Sequence, residues 1–168
     1  MSADAVVPEC AHRLLSVLDE SEPRLRAFSA AESRARQRPT GWSRREVIGH
    51  LIDSATINND RFVRAQVQDD LVFRGYDQDH WVAAQRYHDV EWETLVTLWA
   101  MHNRQLARVM SAVPNEIRTR VQSRHNFDQV AFTVIPPSEP TTLGYIMDDY
   151  VVHMQHHLRA VFGPGWSA

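Results

Sequence analysis

The sequence predicts an all-α fold: a four-helix bundle with a long irregular connection before the last helix. Three observations lead there. Apolar residues recur with a helical period in four stretches of roughly twenty residues each. Strand-like alternation is nearly absent, and glycine is scarce, at 6 of 168 residues. Capping and breaking residues stand at the ends of the periodic stretches. The length suits one domain spanning residues 1–168.

The first helix is expected from about Pro8 to Ser29, with Leu14, Leu15, Leu18 and Leu25 as its apolar stripe. Pro8 suits a first helical position, where a missing N–H costs nothing. Residues 36–41 break the pattern, with Pro39 and Gly41 as punctuation. Ser43 and Glu46 form a capping box that opens the second helix, which runs to about Gln68. Its inward face carries Val47, Leu51, Ala55, Asn58, Phe62 and Ala65. An Asp-rich connection over 69–79 leads to a short helix over 79–86 that carries Trp81. The third long helix is expected from a cap at Asp89 to Val113, ended by Pro114, with Trp92, Leu95, Val96, Trp99, Leu106 and Val109 inward. Residues 115–140 show no period; 130–135 reads as a short extended piece. A connection of that length inside a compact domain is uncommon and often functional. The last helix is expected from Thr141 or Thr142 to Phe162, stopped by Gly163-Pro164-Gly165. Both an up-down order and a crossover remain open.

Composition excludes several classes. Hydrophobic residues are 43% and charged residues 23%, as in globular chains. A net charge of −3 argues against a general nucleic-acid binder. No apolar run reaches the ~20 residues of a membrane span. The first ten residues, MSADAVVPEC, lack a basic segment followed by an apolar one, so no secretory signal is expected. Cys10 is the only cysteine, which excludes an intramolecular disulfide and fits a reducing cytoplasm. All 18 basic residues are arginine, so lysine chemistry is excluded.

Of nine histidines, His153, His156 and His157 on the last helix are the informative group. Positions i and i+4 share a helical face. Taking Tyr150 as zero and ~100° per residue, His157 lies at ~−20°, His153 at ~−60° and His156 at ~−120°. His153 and His157 therefore point inward, at a spacing that lets both reach one metal ion, and His156 points outward. His50, on the second helix, lies at the edge of its apolar face, with Ser54 and Asn58 between it and the centre. An edge of His, Ser and Asn suits a pocket wall.

Several motifs in order resemble the DinB-like (YfiT-like) superfamily. They are Trp42-Ser43 before a helix with Gly49-His50-Leu51, Tyr76-Asp77-Gln78-Asp79 with Trp81, and Thr142-Leu143 before a final helix with His153-x-x-His156-His157-Leu158. The resemblance covers nearly the whole chain. It implies a four-helix bundle, often a homodimer, with one divalent metal ion such as zinc or nickel held by three histidines. Matched to this sequence, the ligands are His50, His153 and His157. It further implies either a thiol S-transferase, with a small-molecule thiol and an electrophile as partners, or a metal-dependent hydrolase.

Three neutral imidazoles leave at least one open position on a divalent ion, the pattern of a catalytic site. Such an ion acidifies a bound water or a small thiol, and both remain open. No catalytic acid or base is assigned. Asp53 falls on the outer face of its helix and reads as solvated; Asp148 and Asp149 face away from the pocket. Asp77 and Asp79 read as loop or capping residues, Tyr150 as a core tyrosine or a donor to a ligand, and Asn58 and Asn103 as polar candidates. Cys10 reads as a small apolar filler, and His80, His88, His102 and His125 as surface residues. Trp81 is a candidate pocket wall. The five arginines at 34, 36, 38, 44 and 45 read as a solvated loop. The alternative to an enzyme is a non-catalytic dimeric module that binds a metal or ligand in a stress response, with neither nucleic acid nor membrane as partner.

Overall fold

A computed structural model describes residues 7–36 and 39–167. Most of the segment read for a secretory signal, and Arg38, lie outside the described residues. The four long helices are α1 (Glu9–Arg26), α3 (Arg44–Arg64), α5 (Trp92–Ala112) and α8 (Leu143–Phe162). Between them lie the short helices α2 (Ala30–Arg34), α4 (Gln78–Gln85), α6 (Asn115–Arg118) and α7 (Phe127–Val130). The described residues contain isolated β-bridges but no strand.

The ends of the helices follow from local chemistry. Pro8 caps α1 from outside, so the helix proper starts one residue later than expected. α1 also ends earlier, at Arg26, because Ser29 forms a capping box with Glu32 and opens α2. The box of Ser43 and Glu46 opens α3 as expected. Asp89 does not cap α5. Its carboxylate accepts from Arg86 at 2.7 Å within a 3-10 turn over Tyr87–Asp89, and Glu91 stands at the cap position instead. Thr142 caps α8, its hydroxyl accepting from the Tyr145 N–H at 3.1 Å. Gly163, at φ +98°, ends that helix in a backbone conformation that favours glycine.

α5 packs against both α1 and α3, and α8 packs against both α1 and α3. The first two long helices are therefore diagonal across the bundle rather than neighbours. This rules out a ring in simple chain order, and it makes α3 and α8 share an interface. Leu14, Leu18, Leu51, Phe62, Trp99, Leu106, Met147 and Met154 fill the interior without exposure. Each large apolar side chain so buried contributes about 1.5–3 kcal/mol.

The long connection is a cover rather than a free loop. It holds α6 and α7, and the bridges of Gln122 to Thr141 and of His125 to Leu71 pin it down. The expected extended piece over 130–135 is not a strand. Its first residue ends α7, and the N–H groups of Phe132 and Thr133 each donate to Asp149 at 2.7 Å. Tyr145 donates its hydroxyl to the Thr133 carbonyl at 2.6 Å. These bonds hold the strap across one end of the α3–α8 interface.

Candidate metal centre

His50 lies in the second turn of α3, and His153 and His157 lie one turn apart on α8. Because the two helices are neighbours, the three rings meet. One ring nitrogen of each lies within 4.8 Å of the others. Nε2 of His50 and Nε2 of His153 are 3.2 Å apart, and the His157 ring centroid is 4.6 Å from each of theirs. His50 is only 1% exposed; His153 and His157 are half-buried. His156 is exposed on the outer side, as the helical phase requires.

Burial pushes the His50 imidazole down to about 4. It pushes His157 down to about 3, with His50 and His156 adding repulsion. Burial likewise holds His153 well below the ordinary range, reinforced by His157, His50 and His156. All three are thus neutral near pH 7, the form that ligates a metal. Two nitrogens on a tetrahedral ion at Zn–N distances near 2.05 Å stand ~3.3 Å apart, close to the separation of His50 from His153. The donor set therefore fits a divalent first-row ion. The Ser54 hydroxyl lies 3.4 Å from Nδ1 of His153 and steadies that ring. Nδ1 of His50 is buried without a partner.

Aromatic rings flank the cluster. Trp42, just before α3, lies 5.0 Å from His50 and stacks on His157 at 6.4 Å between centroids. Phe132, on the strap, lies 5.5 Å from His153. On one side, a cavity of about 190 Å³ runs from His50 and His153 past Ser54 and Asn58 to Arg61, Tyr76 and Asp149. On the other, a groove of about 670 Å³ is lined by Trp42, Arg44, His157 and Arg159.

Residues 13–161 match the DinB superfamily. The chain belongs to that superfamily. The fold is similar to that of YfiT from Bacillus subtilis, with a TM-score of 0.70 and 18% identity over 96% of this chain and 89% of that one. YfiT is described as a probable metal-dependent hydrolase with an unusual four-helix bundle topology. At this identity the likeness is one of fold. A search among curated proteins gives no match. No helix among the described residues is long and apolar enough to cross a membrane.

Several residues of this DinB chain stand elsewhere than their sequence positions suggest. Asp53 is not solvated: it is 1% exposed and accepts from the Tyr87 hydroxyl at 2.6 Å and from Gln85. α4 and the 3-10 turn fold over the side of α3 that the helical phase leaves outward. Asp149 does not face away either. It lines the cavity, although both its oxygens accept backbone N–H groups of the strap. Asp148 does face outward, paired with Arg13 at 3.1 Å.

His125 is buried, with its ring between the Glu139 carbonyl and the Phe127 N–H, because the long connection folds back on itself. His88 and His102 are half-buried, the former 3.3 Å from the Ser43 hydroxyl, and His80 is exposed. Arg45 belongs to no solvated loop. Fully buried, it donates to the Ser33 hydroxyl and to the carbonyls of His88 and Val90.

Other readings hold. Asp77 caps α4 by accepting from the His80 N–H at 3.0 Å. Tyr150 is a core tyrosine whose hydroxyl donates to the buried Asn103. Asn58 lines the cavity and donates to the Ser54 carbonyl at 2.9 Å. Cys10 is buried in α1, where burial raises its thiol pKa. Trp81 packs on Tyr76, with 5.2 Å between centroids, and lines a separate groove of about 690 Å³ rather than the small cavity. Arg61 and Phe132 are lining residues that no sequence motif marks, and Tyr76 stands in a motif without an assigned role. Arg61 was the most accessible to sequence reasoning, since His50, Ser54, Asn58 and Arg61 recur at intervals of four, four and three.

Proposed function

We propose that this DinB chain is a metal-dependent enzyme for a small molecule, with His50, His153 and His157 holding one divalent ion, zinc or nickel. The observation that carries the reading is the convergence of three neutral imidazoles from two helices at the end of a polar cavity, with no fourth ligand in the cluster among the described residues. Held by His50, His153 and His157, a divalent ion would supply a nucleophile near neutral pH by acidifying a thiol or a water. The chain's own residues orient the site. Ser54 steadies the His153 ring, and Trp42 and Phe132 pack their rings beside His50 and His153. Asp53 is turned toward α4, and Asp149 is engaged by two backbone amides. Neither stands ready to take a proton from water. That supports a thiol as nucleophile and an electrophile as second substrate, ahead of the hydrolysis suggested by the description of YfiT.

The test is turnover by the metal-loaded protein against a panel of thiols with electrophiles and a panel of esters and amides. The reading predicts thiol-dependent turnover that His153→Ala abolishes. Bound metal with no turnover in either panel, and a large fall in Tm on chelation, would instead support a non-catalytic metal-stabilised module.

A further inference from the structure

Arg61 lies at the far end of the small cavity from the histidines and is 6% exposed. A guanidinium keeps its charge when buried, and a buried charge is costly unless well paired. Arg61 has no close polar partner, and its guanidinium lies over the Phe73 ring at 5.7 Å from the centroid. Its Nε is buried with no partner. Nη1 lies 3.4 Å from Asn58 Oδ1 and 3.5 Å from the Val130 carbonyl, and Nη2 lies 3.3 Å from the Arg74 carbonyl. Charge-assisted bonds are normally ~2.7–2.9 Å long. No carboxylate forms an ion pair with it among the described residues. Arg45, fully buried, also leaves its Nη2 without a partner, but it bonds Ser33 Oγ at 3.0 Å and the Val90 carbonyl at 2.5 Å. Arg45 joins elements of the fold by short bonds, whereas the terminal nitrogens of Arg61 are held only by long ones at the wall of a cavity.

The surroundings narrow what those nitrogens meet. Asp149 shares the cavity, but each of its oxygens holds a strap amide at 2.7 Å. A single negative charge is tolerated beside it better than a phosphate dianion. The planar fork of Arg matches a planar carboxylate. The Tyr76 hydroxyl, pushed up to about 12 by burial with Asp53 and Arg61 as lesser influences, stays neutral and adds a polar wall. At about 190 Å³ the cavity lies below the usual range for ligand pockets. The guanidinium reaches back to the level of Asn58, eight residues and about 12 Å along the helix from His50. We propose that Arg61 anchors the carboxylate of a short, unbranched substrate whose other end reacts at the three histidines. The proposal rests on the metal-enzyme reading above and names its substrate class.

The test is calorimetric binding of butyrate, succinate and glutarate, each beside its amide, to the full chain with zinc loaded and after chelation. At least one carboxylate is expected to bind about tenfold or more tighter than its amide in both states. Arg61→Gln should remove that preference, and Arg61→Lys should retain part of it. Three results would overturn the proposal: equal binding of acids and amides, a preference that survives Arg61→Gln, or one lost on chelation. If Arg61→Gln fails to fold, the acid-against-amide comparison on chelated wild-type protein still decides. Zinc binding without acid preference would remove this proposal alone; an Arg61-dependent preference in a protein that binds no zinc would remove the metal reading alone.

Discussion

The Tyr87 ring lies against Gly49, in the space a Cβ on that residue would fill. The contact seats the 3-10 turn on α3 one residue before His50. Gly49→Ala should therefore force the ring away and destabilise the protein by about 1–3 kcal/mol. Urea denaturation measures the loss. An unchanged midpoint would mean that the turn does not press on α3 as described.

The same tyrosine donates to Asp53 at 2.6 Å, and the other oxygen of that buried carboxylate has no partner. Tyr87→Phe should cost about 1–3 kcal/mol by leaving the carboxylate still less satisfied. Combined with Asp53→Asn, the losses should not add, since the two residues share one interaction. Strict additivity in the double-mutant cycle would contradict the buried pairing.

Arg45→Met should remove the bonds from α3 to Ser33 and Val90 while keeping most of the side-chain volume. The expected cost is about 1–3 kcal/mol, since buried carbonyls lose charged donors. A variant as stable as the wild type would show that apolar packing, not these bonds, holds α2 and the turn to α3.

In the metal-free protein the histidine cluster should make stability depend on pH. Burial holds His50 near 4 and His157 near 3, against 6.5 for an ordinary histidine. Below 6.5 the unfolded chain binds more protons than the folded one, so stability falls as pH falls toward the folded-state values. Asp53, raised by burial, acts in the opposite sense at the low end of that range. Chelated wild type should lose urea resistance from pH 7 to pH 5 more steeply than a chelated His153→Ala/His157→Ala variant. Equal slopes would mean that the imidazoles are not buried in the neutral form.

The long helices were legible because each carries its apolar residues at one period and is flanked by its own capping chemistry. Ser43 with Glu46, and Thr142, mark starts that need no tertiary knowledge. His153 and His157 were legible for the same reason, since phase along a single helix fixes which side they face. The misplacements have one cause. Asp53, Asp149, His125 and Arg45 are buried by segments 65–91 and 115–142 or by α2, and a helical phase cannot see what folds over its outer face. The diagonal placement of α1 and α3 was equally hidden, although it is what brings His50 to α8. The weak pairing of Arg61 is a matter of distances, so its helical spacing hinted at a shared wall but not at a charge held only by long bonds.

The three-histidine centre is tested most directly by elemental analysis of protein purified without a His-tag or nickel column, beside the His153→Ala/His157→Ala variant. The expected result is about one zinc or nickel ion per chain in the wild type, in line with a single three-ligand site, and none in the variant. A wild type that retains no metal after loading with zinc or nickel and dialysis would contradict the centre. So would a variant that keeps its full metal content.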